Sequence, residues 1–354
     1  MSHFHNLKVV EVTRETPEAV AVGFEIPSDL KSEYQFTAGQ YLTLAFEIGG
    51  SEERRSYSLC SSPSEEVLKV AVKEVEGGKV STHINRNLKV GDVVKVLPPE
   101  GNFTLKTDGL HHHTYVAFVA GSGITPILSM AKDVVEKEPN STFHIFYGNK
   151  DSNHVIFKSA LEELGTKNIK TTLIYSREDS GSALTNGRIN EGKARSLITH
   201  NQLEGAQGFF LCGPEEMIIA ATKGLESIGI DKSKIHFELF TTPVLMESKS
   251  TRVEEASDFH GEAQITVIYD DEEFEFTLDT DGESILETAI EEGVDVPFSC
   301  KGAVCCTCKA KVTEGKAVME ANYALTDEEV AQGYILTCTS HPVTQKVVVN
   351  YDEF

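Results

Sequence analysis

Residues 296–308 read VPFSCKGAVCCTC, and this segment holds four of the seven cysteines of the 354-residue chain. Cys300, Cys305 and Cys308 follow the spacing C-x4-C-x2-C, while Cys338 stands alone further downstream. Clustered cysteines in a chain with few others favour a metal centre over disulfides. Zinc is the weaker alternative, because zinc sites usually pair two C-x2-C units and only one is present.

This cysteine spacing is typical of plant-type [2Fe-2S] ferredoxins, so residues 263–354 resemble a ferredoxin domain with an α+β, β-grasp-like fold. The resemblance implies that four cysteines bind one cluster. They are Cys300, Cys305, Cys308 and Cys338. Cys306 is an alternative to Cys305 with altered spacing, and the C-x4-C-x2-C register favours Cys305.

Two further domains are predicted before this one, which makes the chain multidomain. Residues 1–107 contain short β-rich runs separated by turns, such as AVAVGFEI at 19–26 and YLTLAFEI at 41–48, which predicts an antiparallel β-barrel. Residues 108–240 alternate apolar strands with helical stretches, which predicts an α/β domain with a parallel sheet. Residues 241–262 are polar and aperiodic and are predicted to be a linker.

The barrel region contains Arg55-Ser56-Tyr57-Ser58, which resembles the R-x-Y-S flavin motif of the ferredoxin-NADP reductase superfamily. A guanidinium can neutralise a pyrophosphate, a tyrosine ring can lie against an isoalloxazine, and a serine hydroxyl can reach its N5 edge. Gly77-Gly78 precedes a predicted helix and offers backbone amides to a phosphate. The resemblance implies FAD rather than FMN, held by Arg55, Tyr57, Ser58, Lys73, Gly78, Val80 and Ser81.

The α/β region contains two motifs for a nicotinamide dinucleotide. The first, Gly121 to Pro126, lies between a predicted strand and helix, where a glycine turn lets a pyrophosphate approach the helix amides. The superfamily resemblance adds Cys212-Gly213-Pro214, although a lone cysteine is more often a buried thiol. The implied nucleotide-binding residues are Gly121, Gly123, Thr125, Pro126, Cys212, Gly213 and Pro214. The expected catalytic residues are Ser58, Thr125 and Cys212.

Three further positions bear on the nucleotide and the flavin. Ser176 and Arg177 follow a predicted strand where the adenosine ribose should lie, and a hydroxyl with a guanidinium suits a 2'-phosphate, which favours NADPH over NADH. A surface arginine is the alternative, and Arg188 is a second phosphate candidate. The resemblance implies that Phe240 covers the nicotinamide-facing side of the flavin; a core phenylalanine is the alternative.

The remaining features mainly exclude functions. The formal charge of -23 argues against nucleic acid as a partner. No run approaches the ~18 apolar residues of a membrane span, and the amino-terminal segment lacks a leader pattern, so a soluble, cytoplasmic protein is expected. The run His111-His112-His113 is interpreted as a polar connector, because adjacent imidazoles need not converge on a metal.

The order of flavin barrel, nicotinamide domain and ferredoxin domain resembles that of single-chain oxygenase reductases. Among them the chain is most similar to reductases of the phenylacetyl-CoA epoxidase type, with ketosteroid hydroxylase reductases close behind. The resemblance implies that NADPH or NADH gives hydride to FAD and that a [2Fe-2S] cluster passes single electrons to an oxygenase or hydroxylase component. A redox-sensing iron-sulfur flavoprotein and a diaphorase without a dedicated oxygenase remain alternatives.

Overall fold

The computed structural model of the chain describes residues 3–246 and 259–353. Within this range the chain folds into three sheet-based units in sequence order. Most of the predicted linker, residues 241–262, lies outside the described residues, and the predicted domain boundaries stay predictions. No helix of the two described segments is long and apolar enough to cross a lipid bilayer.

The first unit is an antiparallel six-stranded sheet with the order β4-β3-β6-β1-β2-β5. Its strands are β1 (His5–Thr16), β2 (Ala19–Glu25), β3 (Tyr41–Ile48), β4 (Ser51–Ser58), β5 (Val67–Lys73) and β6 (Val93–Val96). A bridge between Leu59 and Val70 brings the end of β4 back to β5, so the two outer strands meet and the sheet curls on itself. Helix α1 (Lys79–Arg86) begins directly after Gly78 and packs against this sheet. The predicted antiparallel sheet of the first domain is thereby confirmed.

The second unit is a parallel five-stranded sheet with the order β11-β10-β7-β8-β9, as predicted. Its strands are β7 (Thr114–Ala120), β8 (Thr142–Asn149), β9 (Ile169–Tyr175), β10 (Gly208–Cys212) and β11 (Ile235–Glu238). Its helices are α2 (Ile124–Lys137), α3 (Lys158–Leu164), α4 (Glu191–Asn201) and α5 (Glu215–Glu226). The central strands β7 and β10 are apolar and buried, as expected when both faces of a parallel sheet are covered. The carboxyl ends of these strands meet at one edge, where open α/β sheets bind ligands.

The third unit is a mixed five-stranded sheet with the order β13-β12-β18-β14-β16, beside a two-stranded sheet. Its strands are β12 (Glu262–Tyr269), β13 (Glu272–Asp279), β14 (Lys309–Glu314), β15 (Ala317–Met319), β16 (Tyr334–Leu336), β17 (Ser340–Pro342) and β18 (Lys346–Asn350). Its helices are α6 (Ile285–Glu291) and α7 (Asp327–Ala331). The cysteine loop joins α6 to β14, and Cys338 follows β16 in a short 3-10 turn. This is the predicted α+β unit.

Candidate redox site

A cleft of about 710 Å³ lies between the barrel and the third unit. It is lined on the barrel side by Arg55 and Ser58 and on the other side by Cys300 and Cys305. The Arg55 side chain is about half exposed, and its guanidinium is held by the carbonyl of Arg54 at 2.6 Å and by Glu53 at 3.8 Å. A guanidinium that stays open to an interior cleft fits an anionic group such as a pyrophosphate.

The other residues expected at the flavin have different surroundings. Tyr57 packs its ring against the barrel core, and burial raises the pKa of its hydroxyl. Val80 lies on the buried face of helix α1. The Ser81 hydroxyl accepts a hydrogen bond from the Val75 amide at 3.1 Å, so this side chain shapes the glycine turn from within. The space beside Gly78 is filled by Ser81, so a Cβ at Gly78 would overlap that hydroxyl.

At the end of β4 the Ser58 hydroxyl donates a hydrogen bond to the Glu238 carboxylate at 3.0 Å. Glu238 ends β11 and lines the same cleft. Burial raises the pKa of the Glu238 carboxyl to about 8. The Cys212 thiol is fully buried at the end of β10, and burial together with the Glu238 carboxylate raises the pKa of this thiol well above its usual range. Cys212 is therefore a neutral thiol and not a thiolate nucleophile.

A second cleft of about 700 Å³ opens at the carboxyl edge of the parallel sheet. Its wall includes Gly121, Gly213 and Pro214, which were expected at the nicotinamide nucleotide, and Lys73, which was expected at the flavin. A Cβ at Gly123 would overlap the Cys212 carbonyl, so this glycine lets the two predicted loops pack directly on each other. Gly213 has φ of +156°, and a side chain there would also press on Met217.

Thr125 and Pro126 do not face this cleft. Both are buried in the first turn of α2, where the Thr125 hydroxyl donates to the Ser122 carbonyl at 3.0 Å. They therefore fix the shape of the glycine turn. Lys73, on the barrel side of the cleft, lies 3.7 Å from the Glu18 carboxylate.

The far end of the second cleft contains the candidates for the adenosine phosphate. Ser176 and Arg188 line the cleft. Arg177 is exposed and does not belong to that lining, although its amide donates to the Lys150 carbonyl at 2.8 Å. The Arg188 side chain is 82% exposed, and its described ion pair is a long one, 3.9 Å to Glu216. Of the two predicted arginines, the second candidate is therefore the one at the cleft.

Phe240 and Thr241 line both clefts at once. The Phe240 ring is 43% exposed, so it is not a core side chain. The aromatic ring therefore lies between the two clefts. The second cleft is called the nucleotide cleft below, and the first, between the barrel and the third unit, is called the flavin cleft. Its role as a cover of the flavin stays a prediction for Phe240.

The four predicted cluster ligands come together as two close pairs. The sulfurs of Cys300 and Cys305 are 3.2 Å apart, and the Cys308 thiol is hydrogen-bonded to Cys338. A hydrogen bond from Cys305 and the backbone amides of Gly302 and Val304 lower the pKa of Cys300. Four convergent sulfurs with amides pointing at them fit an iron-sulfur cluster.

Cys306 points away from these four sulfurs. Its Sγ atom lies 3.7 Å from the Ala324 carbonyl and 3.7 Å from Nδ2 of Asn102. Its backbone amide donates to the Tyr41 hydroxyl at 2.9 Å. This side chain is therefore part of the contact between the cysteine loop and the barrel.

The contact between the barrel and the cysteine loop includes residues that the sequence did not single out. The Arg54 guanidinium donates to Asp295 at 2.6 Å and to the Val296 carbonyl at 3.2 Å, and lies 4.2 Å from the centre of the Phe298 ring. The Ser56 hydroxyl donates to Ser299 at 2.8 Å. Glu238, Tyr41 and Arg54 lie far from their partners in sequence, so no local motif could have revealed them.

Comparison with known sequences supports each part of this site. Residues 6–105 match the oxidoreductase FAD-binding domain, residues 118–223 the oxidoreductase NAD-binding domain, and residues 267–343 the 2Fe-2S iron-sulfur cluster binding domain. A component of the 1,2-phenylacetyl-CoA epoxidase from Escherichia coli (strain K12) is 38% identical over 360 residues, covering 99% of each chain. The ferredoxin reductase component of 3-ketosteroid-9-alpha-monooxygenase from Rhodococcus rhodochrous is 29% identical and covers 98% of this chain and 96% of its own.

A solved structure shows the same arrangement of domains. Phthalate dioxygenase reductase superposes with a TM-score of 0.60 at 24% identity and covers 98% of both chains. That protein is described as a modular structure for electron transfer from pyridine nucleotides to [2Fe-2S]. The likeness in sequence and fold extends along the full chain and includes all three cofactor-binding domains. The chain therefore belongs to the family of ferredoxin-reductase-type oxidoreductases that unite FAD-binding, NAD-binding and [2Fe-2S] domains and form the reductase components of oxygenases.

Proposed function

We propose that this chain oxidises NADPH and passes the electrons one at a time, through FAD and the [2Fe-2S] cluster, to an oxygenase of the phenylacetyl-CoA epoxidase type. One observation carries the proposal. The cleft that contains Arg55 and Ser58 is bounded by two cluster cysteines, Cys300 and Cys305, and it shares Phe240 with the nucleotide cleft. The residues at which hydride would enter and those at which single electrons would leave therefore line the same space, which is large enough for a flavin.

FAD, when bound, accepts two electrons as hydride and can release them singly. The chain contributes position and charge. Arg55 offers its guanidinium to the pyrophosphate, and the paired loops at Gly123 and Gly213 shape the wall against which the nicotinamide lies. Glu238 is neutral below about pH 8 and accepts the Ser58 hydrogen bond, so this carboxyl adds no negative charge beside Ser58 below that pH.

NADPH rather than NADH is part of this proposal. Support comes from Ser176 and Arg188, which line the same end of the nucleotide cleft, and from the Lys150 ammonium nearby. Lys150 is paired with Glu18 at 2.7 Å, whereas the Arg188 guanidinium is largely exposed. Arg188 is therefore the side chain best placed for a 2'-phosphate.

The choice of oxygenase rests on the relatives. The Escherichia coli component of 1,2-phenylacetyl-CoA epoxidase is 38% identical, against 29% for the ketosteroid monooxygenase component. The second candidate is accordingly a ketosteroid hydroxylase reductase. A cytoplasmic location, expected from the sequence, stays part of the proposal.

Reconstitution tests this function. The purified reductase is combined with NADPH and either a phenylacetyl-CoA epoxidase or a 3-ketosteroid hydroxylase oxygenase, and product is measured against NADPH consumed. We expect coupled product formation with the epoxidase. Ferricyanide reduction in the same preparation shows that the reductase is active. Active reductase that supports only the ketosteroid oxygenase, or neither, would contradict the proposed partner.

A further inference from the structure

Two histidines of the run 111–113 converge on a buried carboxylate, which the interpretation of the run as a simple polar connector did not foresee. His111 and His113 precede β7, and Glu138 follows helix α2. The Nδ1 atom of His111 is 2.9 Å from Oε1 of Glu138. The two imidazole rings stack with their centres 4.1 Å apart.

Tyr115 completes the cluster. Its hydroxyl donates to Oε2 of Glu138 at 3.1 Å and lies 3.0 Å from Nδ1 of His113. One potential ligand atom from each of His111, His113 and Glu138 lies within 4.8 Å of the other two. Three residues from two separate segments thus place two imidazole nitrogens and an acidic oxygen around one point.

The charge balance of the cluster is unusual. The Glu138 side chain is 0% exposed, and its ion pair in the described part of the chain is with His111. The neighbouring Lys137 is turned away to Asp133, at 2.7 Å. Buried charged groups in proteins are paired or coordinate a metal ion, and among the described residues no lysine or arginine pairs with Glu138.

We propose that His111, His113 and Glu138 bind one divalent cation of borderline softness, Zn²⁺ in the first place. Two imidazole nitrogens with one carboxylate oxygen are a donor set that Zn²⁺ prefers, whereas Mg²⁺ and Ca²⁺ prefer oxygen ligands alone. The Tyr115 hydroxyl is the protein oxygen placed to complete a four-coordinate shell. Both histidines are partly open to solvent, which gives the ion a path of entry.

The place of the site in the fold indicates a structural role. Strand β7 begins beside this cluster and helix α2 ends beside it. The glycine turn of the nucleotide cleft connects the other ends of these two elements. The Asp108 amide also donates to Glu138 at 2.9 Å, so the segment that leaves the barrel is fastened at the same point. The ion would therefore stabilise the junction between the barrel and the nucleotide domain without entering the redox chemistry.

The experiment uses untagged full-length protein loaded with FAD and its cluster, dialysed against a mild chelator. Isothermal titration with ZnCl₂ should show one Zn²⁺ per chain, and Zn²⁺ should raise the melting temperature. His111→Ala and His113→Ala should lose this binding. His112→Ala is the matched control, because His112 is an exposed imidazole between the two proposed ligands; it should bind Zn²⁺ as the unaltered protein does.

Glu138→Gln, which keeps the shape of the side chain, should also lose Zn²⁺ binding, and its FAD absorbance shows whether it has folded. Cluster absorbance before and after titration shows that Zn²⁺ has not displaced iron. Equal Zn²⁺ binding by the His111, His112 and His113 variants would overturn the proposal. So would the absence of Zn²⁺ binding to the unaltered protein, which would leave these residues as a hydrogen-bonded cluster only.

Discussion

Cys305 and Cys306 are adjacent in sequence but have opposite surroundings. Cys305 shares a sulfur pair with Cys300, whereas Cys306 turns towards Ala324 and Asn102. We expect Cys305→Ser to remove the visible absorbance of the cluster and the resonance signal of its reduced state, because a ligand is lost. Cys306→Ser should keep both signals. The measurement is absorbance and low-temperature electron paramagnetic resonance of the purified variants.

Serine variants of the other three predicted cluster ligands provide the reference for the Cys305 and Cys306 variants. Cys300→Ser, Cys308→Ser and Cys338→Ser should behave like Cys305→Ser. A cluster that survives in Cys305→Ser but disappears in Cys306→Ser would mean that the ligand register is shifted by one residue. In that case the Cys306 side chain would have to rotate away from Asn102 and the Ala324 carbonyl.

Glu238 gives the redox site a pH dependence. Burial raises the pKa of its carboxyl to about 8, so the group is neutral below this pH and charged above it. A charged carboxylate would oppose the negative charge that hydride brings into the cleft. We expect the rate of NADPH-dependent ferricyanide reduction to fall roughly tenfold between pH 7 and pH 9, following the neutral fraction of a single group. Stopped-flow flavin reduction at saturating NADPH measures the same step directly.

Glu238→Gln is the control for that profile, because an amide of the same shape cannot ionise. Its rate should stay nearly flat over the same pH interval, at a level set by the altered hydrogen bond to Ser58. An unchanged fall above pH 8 in Glu238→Gln would assign the titration to another group and remove Glu238 from the site.

At the scale of secondary-structure elements, the segment that follows β9 contains both candidate arginines but places only one of them at the nucleotide cleft. Arg188 faces the nucleotide cleft and Arg177 does not. We expect Arg188→Ala to raise KM for NADPH by about tenfold or more while KM for NADH changes little, because only NADPH carries the 2'-phosphate. Steady-state kinetics with both nucleotides measure this. Arg177→Ala, the matched control, should alter neither value much; a selective NADPH defect in Arg177→Ala alone would reverse the assignment.

Local sequence signals predicted much of these elements. Apolar runs predicted all five strands of the parallel sheet but not β4, β14, β15, β16 or β17, which are polar or short, and the Gly121 turn was predicted between β7 and α2, where it lies. The R-x-Y-S motif lies on β4, a strand whose polar residues line a cleft. Helix α4 was missed, since its apolar residues are few and its polar face is wide.

The site was predictable only where its residues form short motifs. The cysteine spacing predicted residues whose sulfurs form two close pairs, and the glycine loops at Gly123 and Gly213 do pack together. Glu238 could not be found in this way, because its role depends on a fold that brings the end of β11 beside the end of β4. Thr125 was expected at the chemistry, yet its hydroxyl is used by the Ser122 carbonyl within the turn.

At the scale of the whole molecule, the third unit is docked by its cysteine loop and not only tethered through the chain. The Tyr41 hydroxyl is buried among the Cys306 amide and the Thr307 hydroxyl. A Cβ at Gly302 would overlap Thr242, so the loop also lies closely against the segment that leaves β11. This docking holds Cys300 and Cys305 at the flavin cleft.

Arg54 connects the barrel to the third unit more extensively than its ion pair alone suggests. Its side chain is only 6% exposed, whereas its partner Asp295 is 81% exposed. An ion pair with so open a partner contributes little. The Val296 carbonyl and the Phe298 ring are the contacts that depend on the shape of the guanidinium, and they immediately precede Cys300. Arg54 should therefore govern the flavin-to-cluster step and leave hydride transfer unaffected.

Two substitutions separate these contributions. In Arg54→Ala, flavin reduction by NADPH should keep its rate, while electron transfer from flavin to cluster should slow at least roughly tenfold, which corresponds to about 1.4 kcal/mol of activation free energy. Asp295→Asn should slow the second step only slightly, because the carbonyl and ring contacts remain. Stopped-flow absorbance at flavin and cluster wavelengths resolves the two steps. If Arg54→Ala transfers electrons to the cluster at the unaltered rate, the docked contact does not determine the electron exit, and the linker alone suffices to deliver the cluster to the flavin.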